Sequence, residues 1–266
     1  MSAIDQISEP TFLELDEERN RRRIAFRRRF PTDAGKERPG IVWLGGFKSD
    51  MLSTKAAALD NFAAQDGRAC LRFDYSGHGE SEGRFEEGTI SRWTQESLAM
   101  IRAQTEGPQI LVGSSMGGWI SLLVARAMGK EEAAERIAGL VLIAPAVDFT
   151  ERLMWANMPE KIRKQIETEG VWLRESAYSP EPTPITWALI EDGRRNLMFD
   201  GAIDAHAPVH ILQGMQDPDV PWQHAMTLVE HLAGDNVTLS LIKDGDHRLS
   251  REEDIQALIA AVAKIA

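Results

Sequence analysis

A serine at position 115 lies in a pattern that can make its hydroxyl a nucleophile. The segment Gly113–Gly117 reads Gly-x-Ser-x-Gly, with the apolar run Ile110–Val112 before it and an apolar helix-like pattern after it. Two small glycines allow a strand to turn sharply into a helix, which holds the serine hydroxyl out at the end of a sheet. A serine presented in this way can attack a carbonyl carbon once a neighbouring base accepts its proton.

A second Gly-x-Ser-x-Gly match, Gly79–Gly83, serves as an internal control. It follows Gly77-His78 rather than a strand, and no apolar helix pattern comes after it. Glu80 and Glu82 also flank Ser81 and would oppose a negative charge developing on a substrate oxygen. The context therefore favours Ser115 over Ser81 as the nucleophile. The alternative is that Ser115 has only a structural role in a glycine-rich turn.

A histidine is the expected base, and the chain contains six of them. His247 follows the apolar run Val237–Ile242 in a loop before the last helix pattern. Because parallel sheets present chemistry in the loops at the carboxyl ends of their strands, we predict that His247 is the base. His78 lies in a glycine-rich turn, His206 precedes a predicted strand and His210 lies within it. The remaining two, His224 and His231, lie in a helix pattern.

An acid that orients the histidine should follow another strand of the same sheet. The run Val209–Gln213 leads into Gly214-Met215-Gln216-Asp217-Pro218-Asp219-Val220-Pro221. Asp217 and Asp219 both qualify by position, and the spacing Gly-x-x-Asp-x-x-Val-Pro favours Asp217. Asp219 remains the alternative acid.

Two backbone N–H groups are needed to bind the oxyanion that forms during attack on a carbonyl. Met116 comes immediately after the serine, and its amide is the first predicted donor. The second should come from the loop after the run Ile41–Leu44, which reads Gly45-Gly46-Phe47-Lys48. We predict the Phe47 amide, because the preceding glycines let it turn toward the site.

Short apolar runs separated by helix patterns indicate a mostly parallel sheet with helices on both faces. The first two runs, Thr11–Leu15 and Arg22–Phe30, have no helix between them and predict an antiparallel hairpin at the edge. The second is rich in arginine, but apolar residues alternate through it, so we interpret it as an amphipathic strand rather than a nucleic-acid-binding patch. The remaining predicted strands are Ile41–Leu44, Ala69–Tyr75, Gln109–Ser114, Leu140–Ala144, Val209–Gln213 and Val237–Ile242.

Residues 147–205 interrupt this alternation with helix-like pieces and no clear strand. The segment follows the carboxyl end of a predicted strand, where ligand crevices form in open α/β sheets. We therefore predict one domain, residues 1–266, in which this insertion caps the site; mere packing on the core is the alternative. Tryptophan and methionine in it suggest an apolar acyl or aryl group. The predicted substrate-binding residues are Trp119, Trp155 and Trp222.

Composition narrows the class of partner. The chain has 266 residues, of which 43% are hydrophobic and 27% charged, with a formal charge of −11. That charge argues against nucleic acid or an anionic membrane as the main partner. A single cysteine, Cys70, excludes an internal disulfide. Acidic first residues and the absence of an apolar stretch of spanning length predict a cytoplasmic protein without stable membrane insertion.

These residues together resemble the serine hydrolases of the α/β-hydrolase fold, and the similarity covers nearly the whole chain. More narrowly, the chain resembles the mitochondrial palmitoyl-protein thioesterase and mycophenolic acid acyl-glucuronide esterase subfamily. The stretches that carry this resemblance are Gly46–Met51, Thr54–Ala56, Arg72–Gly77, Pro108–Ser115, Gly170–Trp172, Asp217 with Val220–Trp222, and Asp246–Arg248. One departure is Gly46-Phe47-Lys48, where the subfamily has a stretch like Gly-Tyr-Leu.

The resemblance implies an eight-stranded α/β-hydrolase fold with a helical cap. It implies a triad of Ser115, Asp217 and His247 and an oxyanion hole of Phe47 and Met116, which need no metal or cofactor. The expected reaction is two-step acyl transfer from a small ester, a thioester or an acylated protein. Alternatives are a peptidase, a cofactor-free haloperoxidase-like enzyme and a non-catalytic binding protein.

Overall fold

The computed structural model describes residues 9–15, 21–175 and 181–265. The strands in this part of the chain are β1 (Thr11–Leu15), β2 (Arg22–Arg29), β3 (Gly40–Leu44), β4 (Cys70–Phe73), β5 (Gln109–Ser114), β6 (Ile137–Ile143), β7 (Val171–Arg174), β8 (Thr183–Thr186), β9 (Val209–Gly214) and β10 (Val237–Ile242). The α-helices are α1 (Thr54–Asp66), α2 (Ile90–Gln104), α3 (Met116–Lys130), α4 (Glu160–Glu169), α5 (Trp187–Arg195), α6 (Trp222–His231) and α7 (Glu252–Ala263). None of these helices is long and apolar enough to cross a membrane.

Eight strands form one sheet in the order β1-β2-β4-β3-β5-β6-β9-β10. From β4 to β10 every neighbouring pair is parallel, whereas β1 pairs antiparallel with β2, and β2 with β4. The predicted edge hairpin is therefore confirmed, with Thr11 opposite Phe26. The parallel strands all end at the same edge, so the loops that follow them meet there.

Helices cover both faces of this sheet, and alternate side chains of each strand enter two different cores. On β5, Leu111 packs among residues of α2 and α3, whereas Ile110 and Val112 pack among residues of α1 and α7. All three side chains are buried. Burial on both faces explains why the central strands read as continuous apolar runs rather than as alternating patterns.

Most arginines of β2 are paired with carboxylates from the elements around them, whereas Arg28 donates to the Gln104 carbonyl. Arg27 contacts Glu80, and Arg29 lies 2.8 Å from Asp60 through its Nη2 atom. Arg22 is buried against the equally buried Glu96, at 3.4 Å. The basic stretch thus forms a strand of the sheet as predicted, but Arg22 and Arg27 are buried against carboxylates and do not lie on an exposed charged face.

The insertion, residues 147–205, lies between β6 and β9 and is less purely helical than expected. It contains α4 and α5, but also the antiparallel hairpin of β7 and β8, in which Trp172 lies opposite Ile185. The sequence did not predict this hairpin, because each strand has four residues and Pro184 interrupts the second one. A two-stranded sheet tolerates proline, since each strand has an unpaired edge.

Both ends of the insertion are fixed at one buried carboxylate. Asp148 accepts hydrogen bonds from the backbone N–H groups of Met198, at 2.9 Å, and Phe199, at 3.0 Å. Burial raises the pKa of this carboxyl, and the two N–H groups oppose the rise by favouring the ionised form. Nearby, Nε2 of His224 on α6 lies 2.8 Å from the Val147 carbonyl oxygen. The chain therefore leaves and rejoins the core at adjacent points.

The segment Ser250–Glu253 has the Ser-x-x-Glu pattern of a capping box, but α7 begins one residue later than that pattern would place it. The N-cap is Arg251, whose backbone N–H donates to the Asp254 carboxylate at 3.0 Å. Ser250 instead donates its hydroxyl to the Arg248 carbonyl, at 3.0 Å. Because the Ser250 hydroxyl is bonded to this backbone carbonyl, it does not cap the helix.

Replacing Asp148 by alanine should destabilise the protein strongly. The change leaves two buried N–H groups without their acceptor, and we expect the free energy of unfolding to fall by about 3 kcal/mol. The matched control is Asp200→Ala, because Asp200 also contacts Arg152 but is exposed. Urea unfolding of both variants tests this prediction, and equal small losses would contradict it.

Candidate active site

Ser115 occupies a strained backbone position between β5 and α3. Its φ of 54° and ψ of −116° are unusual for a residue with a side chain. Three backbone hydrogen bonds hold it there: its N–H donates to Ile143 at 2.8 Å, and its carbonyl accepts from Gly118 at 2.9 Å and Ala146 at 3.0 Å. Strain of this kind persists when the surrounding structure determines the conformation, and it is common at functional sites.

The two glycines of the Gly-x-Ser-x-Gly motif are required for close packing. A Cβ atom on Gly117 would lie 2.0 Å from the Leu44 carbonyl oxygen, at the end of β3. A Cβ atom on Gly113 would lie 2.3 Å from the Gly117 carbonyl oxygen. Helix α3 can therefore approach β3 and β5 only with glycine at these two positions.

His247 lies beside the serine in the loop between β10 and α7. Its Nε2 atom is 3.1 Å from Oγ of Ser115, and its Nδ1 atom is 2.7 Å from Oδ2 of Asp217. A neutral imidazole that donates through Nδ1 to the carboxylate has Nε2 free to accept the serine hydroxyl proton. The structure thus brings together the three residues predicted as the triad.

Asp217 is held by the turn that follows β9. Its Oδ1 atom accepts the backbone N–H groups of Asp219 and Val220, both at 2.8 Å. Its Oδ2 atom faces His247 and also accepts from Nε2 of Gln213, at 3.3 Å. The side chain is buried, so these donors replace the water that would otherwise stabilise its charge. The alternative acid, Asp219, contributes its backbone N–H to this arrangement.

The predicted oxyanion loop lies directly against the nucleophile. A Cβ atom on Gly46 would be 3.5 Å from Cβ of Ser115, so the backbone passes close to the serine. Met116 begins α3, where the first N–H groups have no acceptor within the helix. In the described part of the chain, the amides of Phe47 and Met116 have no hydrogen-bond acceptor. Both groups are therefore available to bind an oxyanion.

The three predicted substrate-binding tryptophans lie in different surroundings. Trp119 is fully buried in α3, with its ring centroid 5.7 Å from that of Phe149. Trp155 is buried in the insertion's own small core. Trp222 is partly exposed at the start of α6. Their contact with a substrate stays a prediction.

Two residues that support the site were not singled out from the sequence. Gln213 ends an apolar run and is fully buried, with its amide bridging Asp217 and the Val220 carbonyl at 3.0 Å. Lys55 on α1 donates to the carbonyl of Arg248, the residue after His247. Burial lowers the pKa of Lys55 to about 8. The sequence signal for Gln213 is a polar residue at the end of an apolar run. The role of Lys55 has no such signal, because it depends on a contact with a residue far away in the sequence.

The same place holds a cluster of side chains that can act as metal ligands. Among the described residues, Asp217, Asp219 and His247 offer ligand atoms within 4.8 Å of one another. Nδ1 of His247 lies 2.7 Å from Oδ2 of Asp217, so these two residues are already joined by the hydrogen bond described above.

Family comparison agrees with the architecture and places the chain in a known class. The model of the Alpha/beta hydrolase family matches residues 39–261. The protein therefore belongs to the α/β hydrolase family, as its motifs predicted. This membership and the names of its relatives confirm the predicted class of enzyme, a hydrolase of ester or thioester bonds.

Individual relatives refine this picture. The human protein named palmitoyl-protein thioesterase ABHD10, mitochondrial, is 36% identical over 225 residues, which are 84% of this chain and 72% of the human protein. The mouse ABHD10 structure has a TM-score of 0.83 at 32% identity and covers 96% of this chain and 98% of its own. The structure of a putative hydrolase from Agrobacterium vitis S4 has a TM-score of 0.92 at 47% identity. The match covers 97% of this chain and 98% of the Agrobacterium chain.

The predicted cytoplasmic location is contradicted by these relatives. The human, bovine and mouse proteins that match the chain are all named as mitochondrial. The prediction used the acidic character of the first residues, and residues 1–8 lie outside the described part of the chain. Composition at that end is therefore no guide to the compartment.

Replacing each aspartate by asparagine separates the two candidate acids. With Asp217→Asn the imidazole loses the acceptor that sets its tautomer, and we expect kcat to fall about 10³- to 10⁴-fold. Asp219→Asn should leave kcat close to the wild-type value, because the backbone N–H of Asp219 is retained. Steady-state kinetics on a chromogenic ester measures both, and the reverse ranking would make Asp219 the acid.

Proposed function

We propose that this protein hydrolyses thioesters and carboxylic esters through an acyl-enzyme on Ser115. The observation that carries the proposal is the continuous hydrogen-bonded chain from Oγ of Ser115 through His247 to Asp217. Each residue of this chain comes from a different loop at the carboxyl edge of the sheet. This arrangement is that of a catalytic triad, in which the base activates the serine and the acid orients the base. Such triads are recognised by their geometry and not by sequence position.

The first step is attack of the Ser115 hydroxyl on the substrate carbonyl carbon. His247 accepts the hydroxyl proton at Nε2, and Asp217 stabilises the imidazolium that forms. The carbonyl oxygen becomes negatively charged and binds the amides of Phe47 and Met116. His247 then returns the proton to the departing thiol or alcohol, which leaves the acyl group on Ser115.

The second step releases the acid. Water loses a proton to Nε2 of His247 and attacks the acyl carbonyl, and the same two amides bind the second oxyanion. Collapse of this intermediate breaks the bond to Ser115, whose oxygen regains its proton from His247.

The insertion acts as a cap in this proposal, because it contacts the oxyanion loop. The ring centroid of Phe47 lies 5.6 Å from that of Phe149, at the start of the insertion. Nζ of Lys48 is 3.4 Å from Oγ1 of Thr183, on β8. Phe47 and Met154 also pack against the insertion core. These contacts between the insertion and the loop of Phe47 and Lys48 support its proposed role as a cap.

We propose an acyl group that is long and apolar. The side chain of Phe47 packs against the rings of Phe85, Trp93 and Phe149, and apolar residues of this kind form walls for apolar ligands. The relatives named palmitoyl-protein thioesterase favour a fatty acyl thioester. We further propose that Trp155 and Trp222 border the acyl site, and that Trp119 forms its floor beneath Phe149.

Ser115→Ala should abolish turnover, because no acyl-enzyme can form. We expect kcat to fall by at least about 10³-fold, with only the catalysis supplied by binding and the oxyanion hole remaining. The same variant should not react with a fluorophosphonate probe that labels the wild-type protein. Near-wild-type activity of a clean Ser115→Ala preparation would refute the proposed function.

Matched thioesters and oxyesters from acetyl to palmitoyl test the proposed acyl group. Each methylene that becomes buried contributes about 0.8 kcal/mol, so kcat/KM should rise about threefold to fourfold per methylene until the site is filled. Ser115→Ala is the blank for each substrate. A preference for acetyl or aryl oxyesters would keep the nucleophile but refute the long acyl chain.

A further inference from the structure

The proposed mechanism does not use His78, although this histidine is buried beside the oxyanion loop. It precedes the second Gly-x-Ser-x-Gly match and is 4% exposed. A buried histidine has lost its hydration, and its ring nitrogens require partners within the protein. The identity of those partners indicates what the residue does.

One partner is the backbone of the oxyanion loop. The N–H of Lys48 donates to Nε2 of His78, at 3.1 Å. Lys48 has a φ of 58°, in the left-handed region that residues with a side chain seldom adopt. Nε2 of His78 therefore accepts its hydrogen bond from a strained residue of the loop. This residue, Lys48, immediately follows the predicted oxyanion donor, Phe47.

The other partner fixes the imidazole itself. Nδ1 of His78 lies 3.3 Å from the Ser76 carbonyl oxygen. This contact sets the tautomer, because a proton on Nδ1 leaves Nε2 as the acceptor for Lys48. Burial lowers the pKa of His78 to about 4, so the ring stays neutral near pH 7 and keeps that lone pair.

Aromatic rings enclose both His78 and Phe47. The His78 ring centroid lies 5.1 Å from those of Phe85 and Trp93. Phe47 packs against the same two rings, at 5.0 Å and 6.0 Å. Phe85 and Trp93 thus form a common wall that fixes the positions of the histidine and of the Phe47 side chain relative to each other.

The backbone on either side of His78 is suited to this place. Gly77 and Gly79 have φ values of 74° and 45°. A Cβ atom on Gly77 would lie 2.6 Å from Cα of Phe85, and one on Gly79 would lie 2.1 Å from Oδ2 of Asp74. The turn can therefore pass through this crowded space only with glycine on both sides of the histidine.

We propose that His78 is a positioning residue for the oxyanion hole. The lone pair of Nε2 accepts the hydrogen bond from the Lys48 N–H. Phe85 and Trp93, which pack against the His78 ring, also pack against the side chain of Phe47. Residue 47 is then fixed at both its side chain and its following peptide, which leaves its own N–H aimed at the site beside Ser115. This inference rests on the proposed function and assigns a role to a residue outside the triad.

Three variants test the proposal in the full chain. His78→Phe keeps a ring but removes the acceptor, whereas His78→Gln places an amide oxygen near the position of Nε2. His231→Phe is the matched control, because His231 also contacts a backbone carbonyl, that of Thr227 at 2.8 Å, but lies at the far end of α6. For each we would measure kcat, KM, the melting temperature and the inhibition constant of an alkylboronic acid, which forms a tetrahedral adduct with the serine.

A positioning role predicts a specific pattern. For His78→Phe, kcat should fall about 10- to 100-fold, less than the loss of a whole oxyanion donor, with KM nearly unchanged. The boronic acid should bind more weakly by a similar factor, and His78→Gln should recover most of both losses. His231→Phe should lower the melting temperature without changing kcat.

Other outcomes overturn the inference. These are a kcat for His78→Phe within about twofold of wild type, an equal loss in His78→Gln, or a rise in KM at constant kcat. Failure of the proposed function has a different signature, because Ser115→Ala would then retain activity whatever the His78 variants do.

Discussion

The left-handed backbone of Ser115 is the constraint on which the site depends. Its N–H donates to the end of β6, and its carbonyl accepts from α3 and from Ala146, just before the insertion. These three partners can meet at one residue because Gly117 lets α3 approach the carbonyl at the end of β3. The strain at Ser115 is thus balanced by the packing of the central sheet, not by local sequence preference.

The relative position of Asp217 and His247 follows from the pairing of β9 with β10. Gly214 lies opposite Ile242, so the two loops leave the sheet at the same level. A Cβ atom on Gly214 would lie 2.4 Å from the carbonyl oxygen of Gly245, and the amide of Gln216 donates to that carbonyl at 2.9 Å. The loops that carry Asp217 and His247 are therefore joined to each other as well as to the strands.

Much of this arrangement was predictable from the sequence. The eight strands of the sheet, the edge hairpin and the positions of Ser115, Asp217 and His247 at strand ends follow from apolar runs and turn residues, which are local signals. The β7–β8 hairpin was not predicted, because four-residue strands with a proline carry almost no pattern. The supporting residues Gln213 and Lys55 were missed for a related reason: their roles depend on contacts made by folding, and for Lys55 these span 193 positions of the chain. The cytoplasmic prediction was wrong, because composition does not determine the compartment.

The attachment of the insertion at Asp148 has a consequence for how this architecture can change. Because one carboxylate joins the outgoing and returning chain, the residues between them form a closed loop whose ends do not depend on its contents. The cost of closing such a loop grows only slowly with its length. Lengthening, shortening or exchanging the insertion would therefore change what packs against Phe47 and Lys48 while leaving β6 and β9 in place. The enzyme is in this sense modular, with a replaceable insertion attached to the sheet that carries Ser115, Asp217 and His247.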